Sequence, residues 1–341
     1  MRIFKRFTFY VLSVALVVVL ASAALVLPWI HTPTDGHDQA LRSRLAGQID
    51  TLIIGQSYAM NGVVPAKLDE KLGTRTYNLS GSLMPIYGQQ YMIEKELARN
   101  PVRHVLIEIT PDTFTSDETQ TYGNGDSYIV ARLDSMAERL EYLLRHVQMT
   151  DWPNIYARSL LQSMRSAAYR LLGKAELIDE SQMGFIPLPA KDVSLAPGSA
   201  AAQIQSMAIF HNPLEENMRK YESLIEACQR AGCDVTIFYT PVSHGKVWQL
   251  YDQDTFRTWA NELAGKYGVP LFDFNLLRSR YELFTDEASF SDNSHLSGEG
   301  AQVFSGVMAD VLARSRAGED VSPLFYANYE DAIRSSIYKT R

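Results

Sequence analysis

Three side chains that together could activate a hydroxyl group stand far apart in this sequence. Ser57 follows Gly55 just after a short apolar run, whereas Asp292 and His295 stand close together near the other end of the chain. A serine hydroxyl is a weak nucleophile unless a base removes its proton, and a neutral imidazole does so when a carboxylate fixes its tautomer. These residues predict a nucleophile (Ser57), a base (His295) and an orienting carboxylate (Asp292).

The elements that would carry these residues alternate between strands and helices. Thr51–Ile54 is apolar and β-branched, which is typical of a strand buried on both faces of a parallel sheet. Ser297 is predicted to cap a helix that runs to about Arg314. Four more strands are predicted at Thr76–Ser80, Val102–Thr110, Asp234–Thr240 and Val269–Asp273. The alternation predicts an α/β fold with a doubly wound, mostly parallel sheet, whose carboxyl edge is where ligands bind.

A long stretch without a predicted strand, residues 111–205, interrupts this alternation. It contains two helical stretches, Val130–Leu144 and Ile155–Leu172, and an irregular segment at Phe185–Pro189. Connections this long are usually functional or disordered, so we interpret it as a helical insertion that caps the carboxyl edge and shapes a substrate groove. Its aromatic residues either stack on sugar rings or form the core of the cap: Tyr122, Tyr128, Trp152, Tyr156 and Tyr169.

The N-terminus predicts a membrane segment. Three cations in Met1–Arg6 precede an uncharged apolar run, Phe7–Ile30, which exceeds the roughly 20 residues that a spanning helix needs. Cations before the span place the N-terminus in the cytoplasm and the body outside. We predict a signal-anchor at residues 1–30, a linker at 31–48, an α/β domain at 49–315 and a tail at 316–341. A signal cleaved near Ala21–Ala23 and a buried core helix are the alternatives.

Composition excludes several classes of protein. The formal net charge of -7 argues against general nucleic-acid binding. The glycines form neither a phosphate loop nor a dinucleotide fingerprint, and no metal-ligand pattern occurs, so we predict no cofactor and no metal. Cys228 and Cys233 are the only cysteines. Export would permit a disulfide between them, and two small buried residues at a helix-to-strand turn are the alternative.

Further candidates lie at the ends of predicted strands. Backbone N–H groups after Ser57 and at Gly81 could stabilise the oxyanion of a tetrahedral intermediate. His244, after the fourth predicted strand, either binds substrate or replaces His295 as the base. Glu108 and Asp112 lie at the end of the third strand and either contact substrate or have a solvated or helix-capping role. Asp273, which ends the fifth strand, is equally open.

Three blocks of this sequence resemble those of the SGNH (GDSL-like) hydrolase superfamily. They are Gly55–Ser57, for the Gly-Asp-Ser block; Asn78–Gly81, for the second block, whose glycine helps to form the oxyanion hole; and Asp292–His295, for the terminal Asp-x-x-His block. The resemblance covers about Ile49–Thr110 and Met218–Leu312 and implies a flavodoxin-like sheet. It also implies that Asn78 and Gly81 lie at the oxyanion hole.

The chain departs from the family pattern in two places. Gln56 replaces an aspartate that is outside the triad. The Gly-x-Asn-Asp block after the third strand is absent, and Glu108–Phe114 stands there instead, so the asparagine donor of the oxyanion hole is missing or supplied elsewhere. Similar divergence is found in membrane-anchored relatives that act on cell-envelope polymers, among them the alginate O-acetyltransferase group and the protein of teichoic-acid D-alanylation.

The resemblance implies an extracytoplasmic serine acyltransferase that moves an acyl group, such as acetyl, to a hydroxyl of a cell-envelope polymer or exopolysaccharide. It also implies a membrane O-acyltransferase partner that delivers the acyl group across the bilayer. One alternative is a carbohydrate esterase with the same triad. Another, suggested by the absent third block, is a non-catalytic anchored assembly factor on a decayed hydrolase fold.

Overall fold

The structure is a computed structural model that describes residues 8–19, 41–115, 124–155, 157–158, 180–193, 215–249, 253–285 and 287–337. Within these ranges one sheet contains β1 (Thr51–Ile54), β2 (Thr76–Asn78), β3 (His104–Glu108), β4 (Asp234–Tyr239) and β5 (Leu271–Asp273). The spatial order is β2-β1-β3-β4-β5, and all neighbouring strands are parallel. The predicted parallel α/β class is confirmed, and its order reverses between β1 and β3.

Helices connect and follow these strands. They are α1 (Ser57–Gly62), α2 (Pro65–Leu72), α3 (Ile86–Leu97), α4 (Pro111–Thr115), α5 (Asn124–Arg132), α6 (Met136–His146), α7 (Glu215–Arg230), α8 (His244–Gln249), α9 (Gln253–Tyr267), α10 (Arg280–Leu283), α11 (Gly298–Arg316) and α12 (Tyr329–Ile337). Residues 8–19 are also helical.

The central strands are buried on both faces. Leu52 and Ile54 of β1 pack in the core that includes residues of α3, α7 and α9. Ile53, between them, packs in a second core with residues of α2 and α11. Successive side chains of a strand point to opposite faces, so the continuous apolar run of β1 supplies both layers.

The predicted helix Val130–Leu144 is two helices. α5 ends at Arg132, and α6 begins at Met136 after Ser135, whose side chain accepts from the Glu138 N–H while Glu138 accepts from the Ser135 N–H. This capping box starts a new helix because it satisfies backbone donors that an uninterrupted helix would bond internally. Most of the second predicted helix, Ile155–Leu172, lies outside the described residues, as do three of the insertion's aromatic residues: Tyr122, Tyr156 and Tyr169.

A segment of the insertion without helix or strand, residues 183–191, joins α1 to α11 and to the loop before it. The Asn61 side chain, in α1, donates to Ile186 O at 2.7 Å, and Gly298 N–H donates to Leu188 O at 2.8 Å. Three further backbone bonds hold it: Asn78 N–H to Met183 O, Ile186 N–H to Met60 O, and Lys191 N–H to Phe290 O. The segment thus connects the two regions that carry Ser57 and His295.

The predicted N-terminal span is only partly described. Of the apolar run from Phe7 to Ile30, residues 8–19 are described and the rest lies outside. Among the described residues no helix combines the length and the apolar character that crossing a bilayer requires. The predicted linker ends in packed structure, because Leu41 and Leu45 are buried, so the packed body begins before residue 49.

Two other predictions are placed by the fold. Cys228 and Cys233 are both buried thiols with no disulfide, as in the alternative of two small buried residues, and the Cys233 thiol donates to Val102 O at 3.3 Å. In the tail, for which the sequence indicated no element, α12 packs against the body. Its Tyr329 hydroxyl donates to the buried carboxylate of Asp273 at 2.5 Å, which gives Asp273 a structural contact.

Candidate active site

A sharp turn after β1 positions Ser57. β1 ends at Ile54, Gln56 precedes the first residue of α1, and Ser57 is that first residue. The Gln56 N–H donates to Glu108 Oε2 at 3.0 Å, which ties the turn to the end of β3. Ser57 therefore lies where β1 ends and is half-buried.

Gly55 permits the close approach of this turn to β3. A Cβ at position 55 would lie 2.5 Å from Glu108 Cβ and 2.6 Å from Glu108 Oε2. We expect Gly55→Ala to lower the free energy of unfolding by about 1–3 kcal/mol. The reason is that β1 and β3 are packed and the buried Glu108 side chain would have to move to admit the added methyl group. Chemical denaturation measures this. Gly265→Ala is the control: a Cβ there, in α9, would meet nothing within 4 Å and should not destabilise the chain. Equal effects would contradict the prediction.

The loop before α11 fixes the orientation of His295. Phe290 and Leu296 form an antiparallel bridge, and the Ser291 N–H donates to His295 O at 2.9 Å. Inside this loop Asp292 Oδ1 accepts from the N–H groups of Ser294 (2.7 Å) and His295 (2.9 Å). The loop is closed on itself, so the carboxylate and the imidazole are held side by side.

Ser57, His295 and Asp292 lie together. Ser57 Oγ is 2.7 Å from His295 Nε2, and His295 Nδ1 is 2.9 Å from each oxygen of Asp292. With the carboxylate facing Nδ1, the proton of a neutral imidazole resides there, and Nε2 can accept the serine hydroxyl. Burial acts to raise the pKa of Asp292, but hydrogen bonds from Ser294 and His295 outweigh it, and the pKa lies below its usual value.

The two predicted oxyanion residues, Asn78 and Gly81, both donate hydrogen bonds within the folded chain. The Gly81 N–H donates to Gly55 O at 3.2 Å. The Asn78 side-chain amide donates to Ala59 O (2.9 Å) and Val63 O (3.0 Å) in and after α1. A role for Gly81 in binding an oxyanion stays a prediction. It requires the Gly81 N–H to release Gly55 O and donate to the oxyanion instead. Asn78 fastens α1 to the end of β2, and its place at the oxyanion hole likewise stays a prediction.

His244 has a different environment from His295. Its ring lies 4.6 Å from that of Tyr281, measured between centroids, and close to the buried Arg280. Burial and the positive charge of Arg280 lower the pKa of His244 to about 3, so the ring is neutral. The partner of the Ser57 hydroxyl is His295, so this geometry does not favour His244 as the base.

Glu108 is fully buried directly beneath the turn of Ser57. Its Oε2 accepts the Gln56 N–H, whereas its Oε1 has no hydrogen-bond partner among the described residues. Burial raises the pKa of Glu108 to about 8; the Gln56 hydrogen bond opposes this rise, and the charge of Asp112 adds to it. The carboxyl is therefore mainly protonated at neutral pH. Through the hydrogen bond that it accepts from Gln56, Glu108 supports the turn that carries Ser57.

We expect the stability of the folded chain to fall as the pH rises from about 4.5 to about 8, because unfolding then releases the Glu108 proton. A pKa raised on folding gives stability that is complete below the unfolded value and lost once the folded value is passed. The slope can approach about 1.4 kcal/mol per pH unit. Glu108→Gln should flatten this dependence, as melting temperatures across the interval would show. Glu70→Gln, an exposed site, is the control; parallel profiles for wild type and Glu108→Gln would refute the prediction.

Sequence reasoning missed two residues beside the triad. The Tyr58 ring packs against the His295 ring with centroids 5.2 Å apart, and Lys246 in α8 donates to the Tyr58 hydroxyl at 2.9 Å. Tyr58 was adjacent to the nucleophile and detectable on that ground. Lys246 carried no signal, because only the fold brings α8 to this place.

No group of three or more histidine, cysteine, aspartate or glutamate residues that could hold a metal ion occurs in the described ranges. Two cavities also lie apart from the triad, one of about 560 Å³ beside β5 and one of about 270 Å³ beside His104 and Arg316. Neither is lined by Ser57, Asp292 or His295.

No known family model matches this sequence. No curated protein matches it either. Among solved structures, the chain is similar to a candidate acylhydrolase from Bacteroides fragilis, with 8% identity and a TM-score of 0.39 over 80% of this chain and 93% of that one. It is also similar to a candidate platelet activating factor from Streptococcus pneumonia, with 13% identity and a TM-score of 0.38 over 87% of this chain and 99% of that one. At scores this low the likenesses decide neither the family nor the activity.

Proposed function

We propose that this chain is an extracytoplasmic serine acyltransferase that moves an acyl group, such as acetyl, to a hydroxyl of a cell-envelope polymer or exopolysaccharide. The observation that carries the proposal is the 2.7 Å separation of Ser57 Oγ and His295 Nε2, with Asp292 on the other side of the imidazole. Side chains of these three types in this order are what nucleophilic acyl chemistry requires. Two of the three sequence blocks that resemble SGNH hydrolases contain these residues: Ser57 is in the first block, and Asp292 and His295 are in the last.

The proposed reaction has two halves. His295 Nε2 takes the proton of Ser57 as Oγ attacks the acyl carbonyl carbon, and the resulting imidazolium returns that proton to the leaving group when the tetrahedral intermediate collapses to acyl-Ser57. An acceptor hydroxyl then loses its proton to His295 Nε2 and attacks the acyl carbon, and the proton goes back to Ser57 Oγ. Asp292 holds the tautomer and stabilises the imidazolium throughout.

The developing oxyanion needs donors close to Ser57. The first N–H groups of a helix have no acceptor within it, and those of Ser57 and Tyr58 open α1. We assign these two as donors, with Gly81 as a third if its N–H leaves Gly55 O. His244, which lies outside the triad, stays a proposed substrate contact.

The proposed location and partners follow from the N-terminal sequence. Cations before the apolar run Phe7–Ile30 favour a single-pass anchor with the body outside the cytoplasm. An acyl donor made in the cytoplasm would then need to cross the bilayer, which gives a membrane O-acyltransferase the role of donor. The acceptor would be a polysaccharide or cell-wall polymer.

Hydrolysis by the same triad is the second candidate. The His295 side chain is 23% exposed and that of Asp292 is 55% exposed, so water as well as a glycan hydroxyl can reach the base. The two reactions differ in the fate of the acyl group. A non-catalytic assembly role is the third candidate, and it requires Ser57→Ala and His295→Ala to leave the cellular function intact.

The test uses the full chain in detergent with p-nitrophenyl acetate as acyl donor and a deacetylated envelope polysaccharide as acceptor. Transfer predicts acetyl esters on the glycan that depend on Ser57, and hydrolysis predicts free acetate alone. Ser57→Ala is the control for spontaneous acetylation. Absence of both products, together with a functional Ser57→Ala variant in cells, would overturn the enzymatic proposal in favour of the assembly role.

A further inference from the structure

Lys246 lies buried beside the triad and contacts both of the segments that form it. The residue is 9% exposed, and its Nζ donates to Tyr58 Oη at 2.9 Å and to Ser294 Oγ at 2.7 Å. Tyr58 directly follows the nucleophile, and Ser294 directly precedes the base. One ammonium group therefore joins the turn of Ser57 to the loop of His295.

We propose that Lys246 is a positioning residue. Its ammonium group fixes the position of Ser57 relative to His295 by bonding Tyr58 on one segment and Ser294 on the other. This inference rests on the proposed function, because the relative position of Ser57 and His295 matters only if the hydroxyl and the imidazole react. Lys246 acts through its two partners and needs no contact with substrate.

The two segments need such a connection because they are remote in sequence. Ser57 and His295 are 238 residues apart, and the bond between them joins the start of α1 to the loop before α11. A displacement of about 1 Å in a reacting geometry can cost about 10²-fold in rate. Tyr58 also packs its ring on the imidazole, so fixing its hydroxyl fixes the surface against which His295 rests.

The start of α8 is itself bound to the base loop, which is the loop before α11 that carries Asp292 and His295. The Ser243 N–H donates to Asn293 O at 3.0 Å, and the Ser243 hydroxyl donates to Asn293 Oδ1 at 3.1 Å. The Ser243 hydroxyl in turn accepts the Lys246 N–H at 3.2 Å. The lysine backbone thus moves with the loop that carries His295, and its side chain reaches from there to Tyr58.

Charged and titratable groups face this ammonium from several elements. Asp112 of α4 accepts from the Tyr58 hydroxyl at 3.3 Å, Asp292 and His295 lie on the base loop, and Glu108 of β3 is protonated beneath the turn. Burial lowers the pKa of Lys246, while the charges of Asp112 and Asp292 act in the opposite direction and do not cancel the effect. We call the Tyr58–Lys246–Ser294 contact the clamp. Its lysine is therefore expected to lose its charge at a lower pH than an exposed lysine does.

The experiment measures the second-order rate of Ser57 modification by a fluorophosphonate probe, in the full chain, as a function of pH. We expect Lys246→Met to reduce this rate about 10- to 100-fold and Lys246→Arg to restore much of it. Wild type should also lose rate on the alkaline side as Lys246 deprotonates, whereas Lys246→Arg should keep its rate there. The reason is that arginine stays charged at any accessible pH. If Lys246 had a purely structural role, the Lys246→Arg substitution would not change the alkaline side of the pH–rate profile.

Matched variants separate the possible outcomes. Lys266→Met, an exposed lysine of α9, should behave like wild type. Tyr58→Phe and Ser294→Ala each remove one partner and should each reproduce part of the loss, which keeps the test decisive if Lys246→Met does not fold. If wild type is labelled at Ser57 and Lys246→Met keeps its rate and pH profile, the clamp is refuted alone. If wild type itself is not labelled, the proposed function fails first.

Discussion

Ser57→Ala is expected to abolish labelling of the chain by a fluorophosphonate probe and to reduce any acyl release or transfer by on the order of 10³–10⁶-fold. The reason is geometric, since Ser57 is the hydroxyl that lies 2.7 Å from the Nε2 of a carboxylate-oriented imidazole. An unactivated turn serine does not react with such probes. In-gel fluorescence of the labelled chain, with the modified peptide identified by mass spectrometry, measures the outcome.

Ser82→Ala is the matched control. Ser82 is an exposed serine in the loop after β2, so its removal should leave labelling unchanged. His295→Ala should abolish labelling as Ser57→Ala does, because the hydroxyl then keeps its proton. Persistent labelling in Ser57→Ala, or none in wild type, would contradict the assignment of Ser57 as an activated nucleophile.

Asp292→Asn is expected to lower kcat by about 10⁴-fold while KM changes little. An asparagine can still accept the N–H groups of Ser294 and His295 through its oxygen, so the loop should remain closed. Its amide nitrogen, however, can donate to Nδ1 of His295, which moves the ring proton to Nε2. The imidazole would then present an N–H to Ser57 and could not act as a base.

Hydrolysis of p-nitrophenyl acetate, measured with the melting temperature, checks this prediction. Asp310→Asn on α11 removes an exposed carboxylate that pairs with Lys71 and should affect neither quantity. A large fall in melting temperature for Asp292→Asn would point to a structural carboxylate. Activity within about tenfold of wild type would remove Asp292 from the triad.

Local patterns in the sequence predicted much of the architecture. The apolar run of β1, the N-cap at Ser297 and the alternation of strands with helices indicated a parallel α/β sheet, because burial on two faces and capping depend on residues close together in the chain. Asp292 and His295 were predictable for the same reason, as a carboxylate and an imidazole three positions apart can meet within one loop.

The sequence by itself determined which side chains are available for chemistry and which strand ends carry them. Only the tertiary structure decided what they touch. It brought Ser57 to His295, occupied the Gly81 N–H with Gly55 O, buried Glu108 beneath the turn, and placed Lys246 between Tyr58 and Ser294. Each of these contacts joins residues from different elements, and their distances follow from strand order and packing, which no local periodicity encodes.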